Sequence, residues 1–226
     1  MSEHPHRPIR SFVRREGRLT PGQLRALETL YPAHGVDWQP GEVFSLASLF
    51  TQSAPLIVDI GFGDGDALAQ MAAAHPEKNY LGVEVYRAGT GQLLRQIERN
   101  RLNNLKVLLA DASELLRIGI PSQSLAGLQL FFPDPWPKKR HHKRRMVQSA
   151  WLALVADRLK PGGFLHMATD WAEYAEWMLE LSEAEPALMN LYSGFAPDSG
   201  PRPPTRFERR GVRKGHAVFD LMLKRT

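Results

Sequence analysis

The chain has 226 residues, 43% of them hydrophobic, with five tryptophans and no cysteine. That is enough for one domain with a sizeable core, and it excludes disulfides, thiolate zinc sites and a cysteine nucleophile. The formal charge of +5 is segregated: residues 1–25, 138–145 and 202–225 carry 20 of the 29 Lys and Arg but only four of the 24 Asp and Glu, which suits a polyanionic partner meeting selected edges of an acidic body.

Residues 1–18 hold Arg7, Arg10, Arg14, Arg15 and Arg18 with little apolar periodicity and read as a flexible basic arm. The N-terminus lacks the apolar core of a signal peptide and no run is long enough to span a bilayer, so a cytoplasmic protein without membrane contact is expected. Residues 19–226 are expected to form a single domain, with N-terminal helices in 19–52 and the core in 53–226. Thr20-Pro21-Gly22-Gln23 opens a helix, Thr as cap, Pro at the first helical position and Gln closing a capping box. A second short helix is expected over 42–50.

Leu56-Ile57-Val58-Asp59-Ile60 is an apolar, β-branched run ending in a carboxylate, and Gly61, Gly63 and Gly65 follow at alternate positions. This predicts a buried strand, a side-chain-free turn and a helix from Asp66 to about His75. Glycines there let the main chain approach a ligand closely, and the helix start offers unpaired N–H groups and a positive dipole end. In a dinucleotide fingerprint the position of Asp66 must be small, which argues against NAD.

The pattern then predicts a strand over 80–85, a helix over 88–102, a strand over 106–110, a short helix over 113–116, a strand over 125–132, a helix over 144–159, a strand over 164–169 and a helix over 172–183. A Pro/Gly-rich loop, 195–204, and an alternating strand, 216–224, complete the chain. Short strands alternating with longer helical stretches indicate an α/β protein: a Rossmann-like, mostly parallel doubly wound sheet with an antiparallel C-terminal edge strand. Ligands then belong at the carboxyl ends of the strands.

Five predicted strands finish at or near an acid: Asp59, Glu84, Asp111, Asp134 and Asp170. Such a rim repels itself unless something occupies it. Glu84, one βα unit beyond the glycines, is suited to two ribose hydroxyls, and Asp111 to an adenine amino group. Taken singly, each acid also reads as a helix N-cap, Asp111 before Ala112-Ser113 above all.

Phe131-Phe132-Pro133-Asp134-Pro135-Trp136-Pro137 leads into Lys138, Lys139, Arg140, His141, His142, Lys143, Arg144 and Arg145. Prolines fix the backbone around Asp134 and Trp136. The basic run behind them reads as a phosphate clamp beside a base-binding pocket; the bland alternative is a solvated face.

Together, Asp59-Ile60-Gly61-Phe62-Gly63, Gly82-Val83-Glu84-Val85, Asp111-Ala112, Phe132-Pro133-Asp134-Pro135-Trp136-Pro137-Lys138, Thr169-Asp170-Trp171 and Thr205-Arg206-Phe207-Glu208 resemble the bacterial tRNA (guanine-N7)-methyltransferases, from about residue 40 to the C-terminus. The resemblance implies a class I methyltransferase that uses S-adenosyl-L-methionine (SAM) and no metal to form N7-methylguanosine in the variable loop of tRNA, position 46 in tRNA numbering. Another RNA, or another guanine atom, is the alternative. It implies SAM contacts from Asp59, Gly61, Gly63, Glu84, Asp111 and Asp134, and substrate contacts from Lys138, Asp170, Thr205, Arg206, Phe207 and Glu208. RNA is expected along Lys139, Arg140, His141, His142, Lys143, Arg144 and Arg145. Asp134, between cofactor and base, is the candidate catalytic residue, and a monomer or weak homodimer is expected. The family generally has Glu where this chain has Asp59, one methylene shorter, so a water-bridged contact is an option there.

Overall fold

The computed structural model describes residues 11–12, 18–200, 202–213 and 215–226. Its sheet has seven strands: β1 (Leu56–Ile60), β2 (Asn79–Glu84), β3 (Leu105–Leu109), β4 (Leu125–Phe131), β5 (Leu159–Thr169), β6 (Leu188–Asn190) and β7 (Phe219–Arg225), in the spatial order β3-β2-β1-β4-β5-β7-β6. The pairs β3-β2, β2-β1, β1-β4 and β4-β5 are parallel, and β7 is antiparallel to both β5 and β6. The chain winds outward from β1 to β3, then returns to add β4 on the other side of β1. A crevice opens at such a reversal, outside the strand ends.

The helices are α1 (Pro21–Thr29), α2 (Tyr31–His34), α3 (Asp66–Ala74), α4 (Arg87–Asn100), α5 (Ala112–Glu114, continued by a wider turn through Gly119), α6 (Ser149–Arg158), α7 (Ala172–Glu183) and α8 (Arg206–Val212). Strand alternation divides the core between the two sheet faces. Val58, Ile60, Leu128, Leu130, Leu165 and Met167 pack with residues of α5, α6 and α7, while Ile57, Tyr80 and Val107 pack with Leu68 of α3 and Leu93, Leu94 and Ile97 of α4. Each large apolar side chain so buried contributes roughly 1.5–3 kcal/mol. β1 is buried along its whole length, which fixes the turn that follows it.

The capping box at Thr20 and Gln23 forms as expected. Over 42–50 only a 3₁₀ turn, Leu46–Ser48, appears; Phe44 is tied to the core and its N–H donates to the Gly119 carbonyl, which keeps that stretch extended. The helix expected over 144–159 starts at Ser149, preceded by a 3₁₀ segment, Lys139–Arg144. β5 begins earlier than expected, at Leu159, with a bend at Gly162, whose φ is +78°. β6 and α8 were not expected from the sequence. β6 pairs with the last three residues of its neighbour, Leu223 to Arg225, so β7 is second from the sheet's end. Beyond β6 the Leu191 and Ala196 N–H groups donate to the Met222 and Asp220 carbonyls.

Candidate active site

The first turn after β1 carries φ of +73° at Gly61, +62° at Gly63 and +77° at Gly65, a region that side chains other than glycine rarely adopt. Side chains at Gly61 and Gly63 would project into open space, so the bare backbone there faces a cleft. The N-terminal part of α4 closes the turn from behind, through Gly89.

A cavity of about 900 Å³ lies at the strand ends, with Gly61, Glu84, Tyr86, Leu109, Ala110 and Asp134 in its wall. Glu84 is anchored by backbone: one carboxylate oxygen accepts from the Val85 N–H at 2.7 Å and the Tyr86 N–H at 3.2 Å, the other from the Gly63 N–H at 3.1 Å. Burial nevertheless outweighs those bonds and raises its pKa. Asp111 caps α5, accepting from the Ser113 N–H at 3.0 Å; its neighbour Ala110, not Asp111, is in the cavity wall.

A second cavity, about 420 Å³, has Asp59, Gly63, Asp64, Thr205, Arg206, Phe207 and Arg210 in its wall, and shares Gly61, Phe131 and Phe132 with the first. Asp59 is 3% exposed. Among the described residues no hydrogen bond or ion pair reaches its carboxyl group, and burial, followed by the nearby Glu84 charge, pushes its pKa up to about 7. A buried carboxyl without a partner calls for a cation or a proton.

The loop after β4 holds two non-glycine residues at positive φ, Phe132 at +52° and Trp136 at +45°, a strained arrangement of the kind found where a site must be held in shape. The Trp136 indole donates to the Ser11 carbonyl at 3.0 Å, and the Arg144 guanidinium lies 3.8 Å over its ring. Ser11 and Phe12 thereby form part of the larger cavity's wall. The rest of the expected arm, apart from Arg18, lies outside the described residues. Asp134 is exposed at the cavity edge.

Of the basic run, Lys138, Lys139, Arg140 and Lys143 are exposed and His141, His142 and Arg144 are half-buried. Arg145 corrects the expectation of RNA contact: it is 2% exposed, donates to the Pro135 carbonyl at 2.8 Å and to Glu173 at 3.1 Å, and lies over the rings of Tyr174 and Trp177. It is an internal tie between the proline loop and α7. His142 also faces Glu173, at 3.5 Å.

Thr205 and Glu208 form a second capping box, at the start of α8. Glu208 is buried and paired with Arg202, whereas Phe207, 56% exposed, tilts against Phe132 at 5.6 Å, and Arg206 stands 3.7 Å from Asp64. Asp170 lies 3.1 Å from the His216 ring nitrogen. Neither cavity wall includes Asp170, Lys138 or Glu208. Sequence reasoning did not single out Tyr86, Leu109 or Arg202. The first two follow from counting to the strand ends; Arg202 gave no signal beyond a charge among prolines. Among the described residues, no group of three or more His, Asp or Glu is placed to hold a metal ion, and no helix is long and apolar enough to cross a membrane.

Residues 53–221 match a family model described as "Putative methyltransferase". The tRNA (guanine-N(7)-)-methyltransferase of Alkalilimnicola ehrlichii is 59% identical over 97% of this chain and 93% of that protein. Those of Halorhodospira halophila and Nitrosospira multiformis are 57% and 49% identical, over 96% and 100% of this chain and 95% and 98% of theirs. Among solved structures, the 16S rRNA methyltransferase KamB superposes with a TM-score of 0.61 over 85% of this chain and 99% of its own, at 16% identity, a likeness of fold.

Proposed function

The chain belongs to the tRNA (guanine-N7)-methyltransferases, and from that premise we propose that it methylates N7 of a guanine in the variable loop of tRNA, position 46 in tRNA numbering, using SAM. The observation that carries this reading is the junction of the two cavities at Gly61, Phe131 and Phe132, which joins a largely apolar space holding Glu84 and Asp134 to one holding Asp59, an exposed aromatic and two arginines.

The residues present fit SAM. Glu84 offers two fixed carboxylate oxygens to a pair of vicinal hydroxyls, Leu109, Ala110 and Leu130 offer apolar surface to a purine, and the unpartnered Asp59 suits a cationic amino acid end. Asp111 retains an oxygen beyond its capping bond for an amino group. When bound, SAM supplies a methyl group already activated by a positively charged sulfur.

Guanine N7 carries an in-plane lone pair and no proton, so no side chain has to act as a base. The chain's contribution is orientation, exclusion of water and stabilisation of positive charge on the base. Phe207 and Phe132 offer ring faces to a purine. Asp134, held among prolines two residues beyond Phe132 and exposed at the cavity edge, eases the developing charge. Lys138, Lys139, Arg140 and Lys143 are exposed for phosphates. The working compartment is the cytoplasm, where such an RNA is met.

N7 methylation leaves a cationic base whose imidazole ring borohydride reduces, after which aniline cuts the strand. An unmodified tRNA transcript treated with protein and SAM, then with those reagents, is expected to give one new band at the variable loop. Efficient incorporation of labelled methyl without any cleavage would mean that a different atom is modified.

A further inference from the structure

Arg202 has a fully buried side chain. Its Nε donates to one Asp220 oxygen at 3.0 Å and an Nη to the other at 2.9 Å, while the same Nη donates to Glu208 at 3.1 Å and the second Nη to the other Glu208 oxygen. The guanidinium carbon also sits 5.2 Å from the centre of the Phe131 ring and 5.5 Å from that of Phe132. His166 shares the Asp220 oxygen that Arg202 Nε bonds, at 2.7 Å. Burial alone would lower the arginine's pKa, but the bonds to Asp220 and Glu208 outweigh it and raise it, so the group stays charged.

One side chain thus joins three segments distant in sequence: the end of β4, which runs on to Asp134; the first turn of α8, which carries Arg206 and Phe207; and β7. A buried ion pair is a poor source of net stability, and a well-packed apolar side chain would fill the same volume at no greater cost. What such a residue cannot do is fix the relative placement of two carboxylates and two rings. A planar fork bonded to both acids can.

We propose that Arg202 is a positioning residue for methyl transfer, locking the Thr205–Glu208 segment against Phe131 and Phe132 so that the wall facing the acceptor base has one shape. This rests on the Thr205–Phe207 side of the smaller cavity being the base site, the Asp59 side being left to the cofactor's amino acid end. Arg202 itself lines neither cavity, and Phe131 and Phe132 line both, but the Thr205–Phe207 segment that it holds through Glu208 lines the smaller cavity alone, so its effect falls mainly on the acceptor. Lysine keeps the charge but has no planar fork to bond both oxygens of each carboxylate, and methionine bonds neither.

The test compares Arg202→Lys and Arg202→Met with the unsubstituted protein, by calorimetry with SAM and by steady-state methylation of tRNA at saturating SAM. The expected result is a SAM affinity within about threefold of the unsubstituted protein in both variants, a kcat/KM for tRNA lower by at least tenfold in Arg202→Met, and partial recovery in Arg202→Lys. A role confined to stability would instead leave kcat/KM unchanged well below the melting temperature, or lower SAM affinity and kcat/KM together; either outcome overturns the proposal. Should Arg202→Met fail to fold, Asp220→Asn, which loosens the guanidinium from β7 alone, is read by the same criteria. If the unsubstituted protein gives no N7-specific cleavage, the base-site reading fails first, and that is seen before any variant is made.

Discussion

Gly89 faces the carbonyl oxygen of Gly63 so closely that a Cβ on Gly89 would stand 1.9 Å from that oxygen. The start of α4 and the turn after β1 are therefore in backbone contact, and the shape of that glycine turn depends on the absence of a single methyl group. Gly89→Ala must push the two apart. Overpacking of this kind costs about 1–3 kcal/mol, and because the displaced atoms are those of the turn, SAM affinity is expected to fall at least tenfold alongside a lower melting temperature. Calorimetry and a thermal melt on the same preparation check both halves; intact SAM binding would show that the turn is indifferent to its backing.

Glu84→Ala removes the acceptors expected to hold the cofactor's hydroxyls and also releases the Gly63, Val85 and Tyr86 N–H groups. Hydrogen bonds to a charged group are worth about 1.5–3 kcal/mol each, so a loss of at least tenfold in SAM affinity is expected. Glu84→Gln, which keeps one acceptor, should fall between. Titration of both variants by calorimetry settles the order.

Asp59 gives two effects of opposite sign. Its carboxyl group, pushed up to about 7 from an ordinary 3.8, is protonated more readily in the folded chain than in the unfolded one. Its contribution to stability is therefore fully present below the unfolded value and is lost as pH rises through about 7. At pH 8 the cofactor-free protein should carry a buried charge at a cost of up to about 4 kcal/mol, and Asp59→Asn should melt higher than the unsubstituted protein. A cationic ligand wants the ionised form, so SAM affinity should weaken as pH drops below 7, and Asp59→Asn should bind less tightly at pH 8 with little dependence on pH. Melts and titrations between pH 6 and 8.5 test both signs. A variant that melts no higher at pH 8 would show that the charge is already compensated.

The basic run should separate by burial. Lys139, Arg140 and Lys143 replaced together by Ala should flatten the slope of log tRNA affinity against log salt by roughly 2–3 units, as three phosphate contacts are lost, with SAM binding intact. Arg145→Ala, which empties the tie between Pro135 and Glu173, should leave that slope alone and lower the melting temperature, because it leaves a cavity against Tyr174 and Trp177 and a Pro135 carbonyl without its donor. Filter binding across a salt series, with a melt, distinguishes the two; a flatter slope in Arg145→Ala would mean that it does reach RNA.

The strand, turn and helix from Leu56 to Ala74 were legible because several local signals agree there: an unbroken apolar run, then three glycines at positions that need positive φ, then a helix start. The basic run shows the opposite case. Charge and spacing do not say which of eight consecutive residues turns inward, and the answer depends on Glu173, Tyr174 and Trp177, almost thirty residues away. Thr205-Arg206-Phe207-Glu208 carries the same capping signature as the start of α1, but the helix that it opens is only seven residues long and mostly charged, too short for an apolar stripe to register. β6 is only three residues long, too short for alternation to register. Arg202 shows its purpose only once Asp220 and Glu208 are brought to it by the fold.

The short β6 has a consequence for how copies of this protein meet. It covers only the last three residues of β7, and the Leu191 and Ala196 N–H groups take up carbonyls that would otherwise remain on that side of the strand. A neighbouring chain therefore finds no long open ladder of donors and acceptors here, and growth of the sheet from one molecule into the next is blocked at this end. Contacts made there must come from side chains, of which Met189, Leu191 and Tyr192 are the exposed apolar ones.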